Sequence, residues 1–134
     1  MNYAKAFKSL GYDLQSPRND WSSENEKGVC VSIRRIQIQM RNRLPYIDTA
    51  VNSIPLASWS VKPGNTKRKR HLTRAIQELA GAVDVIIVDG TPGSAFVDAE
   101  PWDPLQRGAS WHITNFDPET GHFCAEVRRL NNSQ

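Results

Sequence analysis

The chain has 134 residues, with 17 Lys and Arg against 14 Asp and Glu, for a net charge of +3. That length suits one domain, residues 1–134, with a real core, and the apolar and charged shares are those of a soluble globular protein. No apolar run reaches the length of a membrane span, and the first residues, with Lys5 and Lys8 interleaved, lack a signal-peptide core, so the expectation is a cytoplasmic protein with no membrane partner.

Taken in order, Asn2 can cap a short helix whose Tyr3, Ala6, Phe7 and Leu10 share a face and which Gly11 ends. Ser16 to Asp20 is turn chemistry. Trp21 to Ser23 and Val29 to Arg35 form the arms of a hairpin around Glu24 to Gly28, with Val29, Val31 and Ile33 alternating as in a half-buried strand. The alternation slips at Arg34-Arg35, which predicts a bulge or a new element there. Pro45, Pro55 and Pro63 leave residues 41–64 unassigned apart from a short strand at Leu56 to Val61. The clearest helix follows, capped by Asn65 or Thr66, striped by Leu72, Ala75, Ile76, Leu79 and Ala80, and stopped by Gly81. Val83 to Val88 is apolar enough for a central strand covered on both faces. Thr91 to Arg107 reads as a long loop, functional or mobile.

The last stretch, Ser110 to Leu130, is a hairpin turned by Asp117-Pro118-Glu119-Thr120-Gly121. Pairing Phe116 with His122 sets Ile113 against Ala125 and Trp111 against Val127 on a dry face that Phe123 joins. The wet face then carries Thr114 against Cys124 and His112 against Glu126. The sum is an α+β fold: a curved, mostly antiparallel sheet of about five strands, barrel-like in its curvature, packed by one long helix and a short N-terminal one.

Chemistry-bearing clusters are few. Lys67, Arg68, Lys69 and Arg70, followed by His71 and Arg74, occupy the first turns of the long helix. Cations are unfavourable at that end of the helix dipole, and an anion would relieve them. Lys67, Arg70 and Arg74 fall on a stripe opposite the apolar one, so a phosphate-binding patch competes evenly with a solvated face. In Pro17 to Ser22, Arg18 can read a base edge and Trp21 can stack on one, while Asp20 is better read as turn chemistry. Arg34, Arg35, Arg41 and Arg43 make a second basic group beside Tyr46 and Trp59. His112 with Glu126 has the make-up of a base and its orienter, though most such pairs are simple cross-strand contacts. His71, His112 and His122 show no metal-ligand spacing. Cys30 and Cys124 lack a Cys-x-x-Cys partner and read as reduced packing residues. Asp84, Asp89, Asp98, Glu100 and Asp103 gather around the strand end and the loop without an acid-x-Lys nuclease pattern. No P-loop, dinucleotide or nucleophile-elbow motif is present, so no cofactor and no metal is expected.

Three groups of segments carry a resemblance: Arg18-Asn19-Asp20-Trp21-Ser22-Ser23 with Gly28 to Ile33; Gly64-Asn65 with Arg70-His71-Leu72 and Val85 to Asp89; and Trp111 to Asp117 with Thr120-Gly121-His122-Phe123. Together they resemble an uncharacterised bacterial family of small proteins that also occurs as a domain beside HNH-type nuclease domains. The sequence departs from that pattern at Asn19-Asp20 and at Arg34-Arg35, where a second tryptophan is expected, and it carries no HNH motif. In size it is also similar to the orphan proteins of mobile gene cassettes.

The leading expectation is therefore a non-catalytic nucleic-acid-binding module, with DNA ahead of RNA, in a restriction or mobile-element setting. Lys67, Arg68, Lys69, Arg70 and Arg74 would take phosphates, and Arg18, Trp21 and Arg35 would touch bases. An enzyme acting on a phosphorylated or nucleotide substrate through His112 and Glu126 stands second. A protein-interaction or homodimeric accessory protein, using residues 41–64 or a strand edge, stands third.

Overall fold

The structure, a computed structural model, describes residues 1–51, 59, 62–90 and 98–130. The chain opens with α1 (Tyr3–Ser9), whose N-cap Asn2 accepts the Lys5 amide at 2.8 Å and whose Tyr3, Ala6 and Phe7 are buried, as their spacing predicts. β1 (Ser22–Glu24) and β2 (Val29–Arg34) form the expected antiparallel hairpin. A single 3₁₀ turn at Arg35–Gln37 then resets the alternation at Arg34-Arg35. β3 (Ile38–Arg41) and β4 (Leu44–Asp48) make a second hairpin. After these come α2 (Pro63–Glu78), β5 (Ala82–Asp89), β6 (Asp98–Pro101), the one-turn α3 (Pro104–Arg107), β7 (Ala109–Phe116) and β8 (Phe123–Arg129).

The fold is α+β; among the described residues an open mixed sheet of eight strands runs in the order β1-β2-β5-β7-β8-β4-β3, and β6 pairs β5 off this path. The sheet therefore exceeds the predicted five strands and does not close into a barrel. β2 and β5 pair in parallel from Cys30↔Asp84 to Arg34↔Val88, and the other pairs are antiparallel. Along its other edge β5 pairs first with β7 at Ala82 and Val83, then with β6 from Ile86 to Asp89, so the sheet splits there. Trp102 ties the split together: its amide donates to Val85 and its indole Nε1 donates to the Ala109 carbonyl at 2.8 Å.

Three of the strands escaped the sequence reading. Asn42 (φ 52°) and Arg43 (φ 67°) make a tight two-residue turn with no glycine to announce it. Pro45 pairs with Met40 and precedes the Tyr46–Asp48 stretch that pairs with β8. β6 and α3 occupy the second half of the segment expected to be a loop; residues 91–97, like most of the expected strand at 56–61, lie outside the described residues.

Two cores sandwich the sheet. Val29, Val31, Ile33, Val83, Val85, Ile87, Trp111, Phe123, Ala125 and Val127 meet Leu72 and Ala75 of α2 on one face. Cys30, Ile86, Val88 and Ala99 meet Tyr3, Ala6, Phe7 and Tyr12 on the other. β2 is thus covered on both faces, not half-buried as its alternation suggested. Each large apolar side chain removed from water here contributes about 1.5–3 kcal/mol.

The register of the last hairpin holds at Trp111↔Val127, His112↔Glu126 and Ile113↔Ala125. A bulge at Thr114 then shifts it to Asn115↔Cys124 and Phe116↔Phe123 in place of Thr114–Cys124 and Phe116–His122. The long helix also differs from expectation. It begins at Pro63 with Lys62 as N-cap, not at Asn65 or Thr66. Of its predicted stripe Leu72 and Ala75 are buried, Leu79 is half-buried, and Ile76 and Ala80 are exposed. Gly64, Asn65, Arg68 and His71 complete the buried face, because the first half of α2 packs on a polar and aromatic neighbourhood and not on the apolar core.

Candidate functional site: a basic, tryptophan-lined pocket

The start of α2 lies against the loop ahead of β1 and the turn between β7 and β8, and glycines set both contacts. A Cβ on Gly64 would strike the Asn19 carbonyl and the Trp21 indole. A Cβ on Gly121 would strike the side chain of Asn65, which instead donates to the Thr120 carbonyl at 2.8 Å. Both positions need glycine for close approach.

The loop carrying Trp21 is itself fixed. Asp20 is buried; its carboxylate accepts the Ser16 amide at 2.9 Å and Lys67 Nζ at 2.8 Å, and its carbonyl accepts the Tyr3 hydroxyl at 2.8 Å. It is a turn-former, as read from the sequence. The Trp21 carbonyl accepts both the amide and the hydroxyl of Ser32, at 3.0 and 3.1 Å.

These contacts frame a cavity of about 340 Å³ with Arg18, Asn19, Trp21, Arg34, Trp59 and Arg68 among its walls. Lys62, the N-cap of α2, and its first residues Pro63 and Gly64 complete the rim, and no carboxylate lines it among the described residues. The volume lies in the range of small-molecule pockets, and the walls combine apolar rings with a few convergent polar groups.

Arg68 is the centre of the site. It is only 6 % exposed, and its guanidinium lies 4.8 Å from the Trp21 ring, 5.5 Å from Trp59 and 5.0 Å from Phe123. Its Nη2 donates to Asn65 Oδ1 at 3.2 Å, while its buried Nε has no hydrogen-bond partner. Among the described residues no carboxylate pairs with it. Burial lowers its pKa to about 10, which still leaves it charged at neutral pH. Desolvating a cation costs several kcal/mol, against which each stacked ring returns about 2 kcal/mol. Among the described residues no acid lines the pocket to offset this charge, and Arg18, Arg34 and Lys62 line it as well.

The predicted basic run is therefore divided among different tasks. Lys67 is held by Asp20 and Gln15. Arg68 is buried instead of projecting to solvent. Lys69 donates to the Glu119 carbonyl at 3.3 Å. Arg74 binds Glu24 at 3.0 Å and the Asn25 and Gly28 carbonyls, closing the β1–β2 turn. Arg70 is exposed and borders a second cleft. Arg18 stands at the pocket mouth beside Trp21. Arg35 lies elsewhere, in an exposed ion-pair network with Asp89 at 2.7 Å and Glu100 at 3.0 Å, which Arg107 joins. The sequence reading did not single out Lys62, and it placed Trp59 in a rim or core role; proximity across 40 residues left no local signal.

The second cleft, about 250 Å³, contains Ser22, Glu24, Lys67, Arg70 and His71. Ser22 Oγ lies 2.6 Å from His71 Nδ1, and His71 Nε2 lies 3.7 Å from Glu24. Burial pushes the His71 pKa down, against the pull of Glu24, so the ring is neutral at pH 7. On the outer face of the last hairpin, His112 and Glu126 oppose each other as expected, but His112 Nε2 meets Ser110 at 3.1 Å and Glu126 takes Arg128 at 2.9 Å. Asp48, His122 and Cys124 converge on the same side of the neighbouring strands and are the described side chains able to share a metal ion. Both cysteines are free. Among the described residues no helix is long and apolar enough to cross a membrane. No family model, curated protein or solved structure matches this chain, so what the site can do rests on its own geometry.

Proposed function

We propose that this protein is a nucleic-acid-binding module, for DNA ahead of RNA, and that its pocket receives one unpaired or flipped-out nucleotide. The observation that carries this reading is Arg68: a buried cation stacked under Trp21 and Trp59 with an unused Nε, in a pocket whose rim adds Arg18, Arg34 and Lys62 and, among the described residues, no acid. An aromatic base offers a plane to the tryptophans and acceptor edges to the guanidinium, and the flanking phosphates suit Arg18, Lys62 and the first turn of α2. The phosphate role moves from the helix flank to its mouth. Lys67 and Arg74 are spent on Asp20 and Glu24, which leaves Arg70 as the outlying phosphate contact.

The test is fluorescence anisotropy with labelled single-stranded, abasic-mismatched and fully paired DNA at two salt concentrations, read beside quenching of tryptophan emission. Expected are tighter binding where a base is unpaired, quenching on binding, and a loss of tenfold or more in Trp21→Ala and Arg68→Met, while Arg35→Ala binds as wild type. Arg18→Ala should lower the salt slope by about one unit. Unchanged affinity in both Trp21→Ala and Arg68→Met overturns the assignment.

The second cleft favours a runner-up of a different class. Ser22, His71 and Glu24 have the make-up of a nucleophile, a base and an orienting acid, with Lys67 and Arg70 beside them for a phosphorylated substrate. Turnover of a nucleotide phosphoester that is abolished in Ser22→Ala would favour this enzyme over the binding module.

A further inference from the structure

We infer that Asp48, His122 and Cys124 form a zinc site that staples β4 to β8 behind the floor of the pocket. The inference rests on how the strands present these side chains. Asp48 and Cys124 face each other in the β4–β8 register, and His122 lies two residues before Cys124, so all three emerge on one face of the sheet. Their ligand atoms all lie within 4.8 Å of one another, with His122 Nε2 2.7 Å from Asp48 Oδ1 and the Cys124 thiol turned to the same carboxylate. Among the described residues no other three such side chains converge in this way.

The donors are one imidazole nitrogen, one thiolate sulfur and one carboxylate oxygen, a set that suits Zn²⁺ over the oxygen-loving Mg²⁺ and Ca²⁺. In a tetrahedral zinc site neighbouring donors stand about 3.3–3.6 Å apart, so the His122–Asp48 pair, at 2.7 Å, needs to open by less than about 1 Å, and the other donors already lie within 4.8 Å. Thiolate and carboxylate together neutralise the ion. The thiol proton leaves on binding, the imidazole proton moves to Nδ1, and the fourth position stays open to water. All three side chains are half-buried, which leaves an entry path from solvent. Arg41, stacked at 4.2 Å on Tyr46, is the nearby cation that opposes the ion, and Asp117 is the nearby acid that favours it. The spacing rules that deny a metal motif to His122 and Cys124 as sequence neighbours do not see Asp48, which sits 74 residues from His122.

The site has a structural consequence. His122 and Cys124 flank Phe123, whose ring lies 5.0 Å from the Arg68 guanidinium, and Asp48 precedes Thr49, which lines the pocket. The Phe123 amide donates to Thr49 Oγ1 at 3.1 Å. An ion on the outer face therefore clamps the two strands whose inner face supports Arg68.

The experiment is titration of the metal-free, reduced full chain with Co²⁺, followed by competition with Zn²⁺. Expected are one equivalent bound, a thiolate-to-cobalt charge-transfer absorption with the intense visible bands of tetrahedral Co²⁺, and displacement of both by Zn²⁺. Cys124→Ser should lose the charge-transfer absorption, and Asp48→Asn, which keeps the shape of the side chain and its Oδ1 acceptor for Ala50 and His122, should bind at least tenfold more weakly. Cys30→Ala, in the opposite core, should titrate as wild type. Zinc should raise the melting temperature of wild type by more than that of Asp48→Asn at the same concentration. A charge-transfer absorption that survives in Cys124→Ser, or equal Co²⁺ affinity in wild type and Asp48→Asn, overturns the proposal.

Discussion

At the scale of single residues, Arg68 separates stability from function. Its charge is desolvated, stacked on three rings, and served by one hydrogen bond to Asn65. A buried ionic group of this kind is often neutral or costly for folding, and an apolar side chain of similar length fills the same space. Arg68→Met is therefore expected to leave the urea-unfolding free energy unchanged or raise it by about 1–2 kcal/mol while abolishing ligand binding. Equilibrium unfolding beside the anisotropy assay checks both halves. A loss of more than about 2 kcal/mol would instead make Arg68 a structural keystone, with Asn65 as its essential partner. Asp20 contrasts with it: the same low exposure, but every interaction is made within the fold, to Ser16, Tyr3 and Lys67.

At the scale of elements, α2 explains how one helix serves two neighbours. Its second half shows Leu72 and Ala75 to the core, and its first half shows Gly64, Asn65, Arg68 and His71 to the loop and the hairpin turn. Its end is a weak point. The Gly81 amide reaches back to the Ala75 carbonyl at 2.9 Å, which places Ala80 in the left-handed region at φ 55°. That conformation disfavours a Cβ, and the Ala80 side chain is exposed. Ala80→Gly should stabilise the protein by about 0.5–1 kcal/mol, seen as a higher urea midpoint at unchanged slope. The opposite sign would mean that the entropy added to the unfolded chain outweighs the relief of strain.

At the scale of the whole molecule, two histidines link stability to acidity. His71 is held below its ordinary pKa first by burial, with Arg70 and Lys67 adding to the effect and Glu24 opposing it. His112 is lowered first by burial and then by Arg128, against Glu126. Both folded-state values lie under the unfolded one, so below about pH 6.5 the unfolded chain binds more protons and stability drops as pH falls. Unfolding free energies measured from about pH 7.5 down to about pH 5 should show this decline. His71→Gln should make it shallower, and replacing His112 as well should flatten it further. A pH-independent midpoint in wild type would contradict the burial of both rings.

How much of this was open to sequence reasoning followed from the range of the signal. Local periodicity found α1, the β1–β2 hairpin, the centre of α2, β5 and the first half of the β7–β8 register, because apolar spacing and turn residues act within a few positions. It missed β3 and β4, where a two-residue turn used Arg43 without a glycine and Pro45 sat where no ladder bond was required. It also placed Arg68 with Lys67 and Arg70 as a surface run, since nothing within the run says which cation faces inward.

By itself the sequence determined an α+β chain with a buried central strand, a basic helix start, and a tryptophan and two glycines set at turns. Only the tertiary structure decided that Gly64 meets Trp21, that Gly121 meets Asn65, and that Arg68 closes between Trp21, Trp59 and Phe123. The physical reason is that pockets and ligand clusters form between strands and turns distant in the chain. Their energies depend on burial and on the partner facing each charge, and no local pattern of residues encodes either.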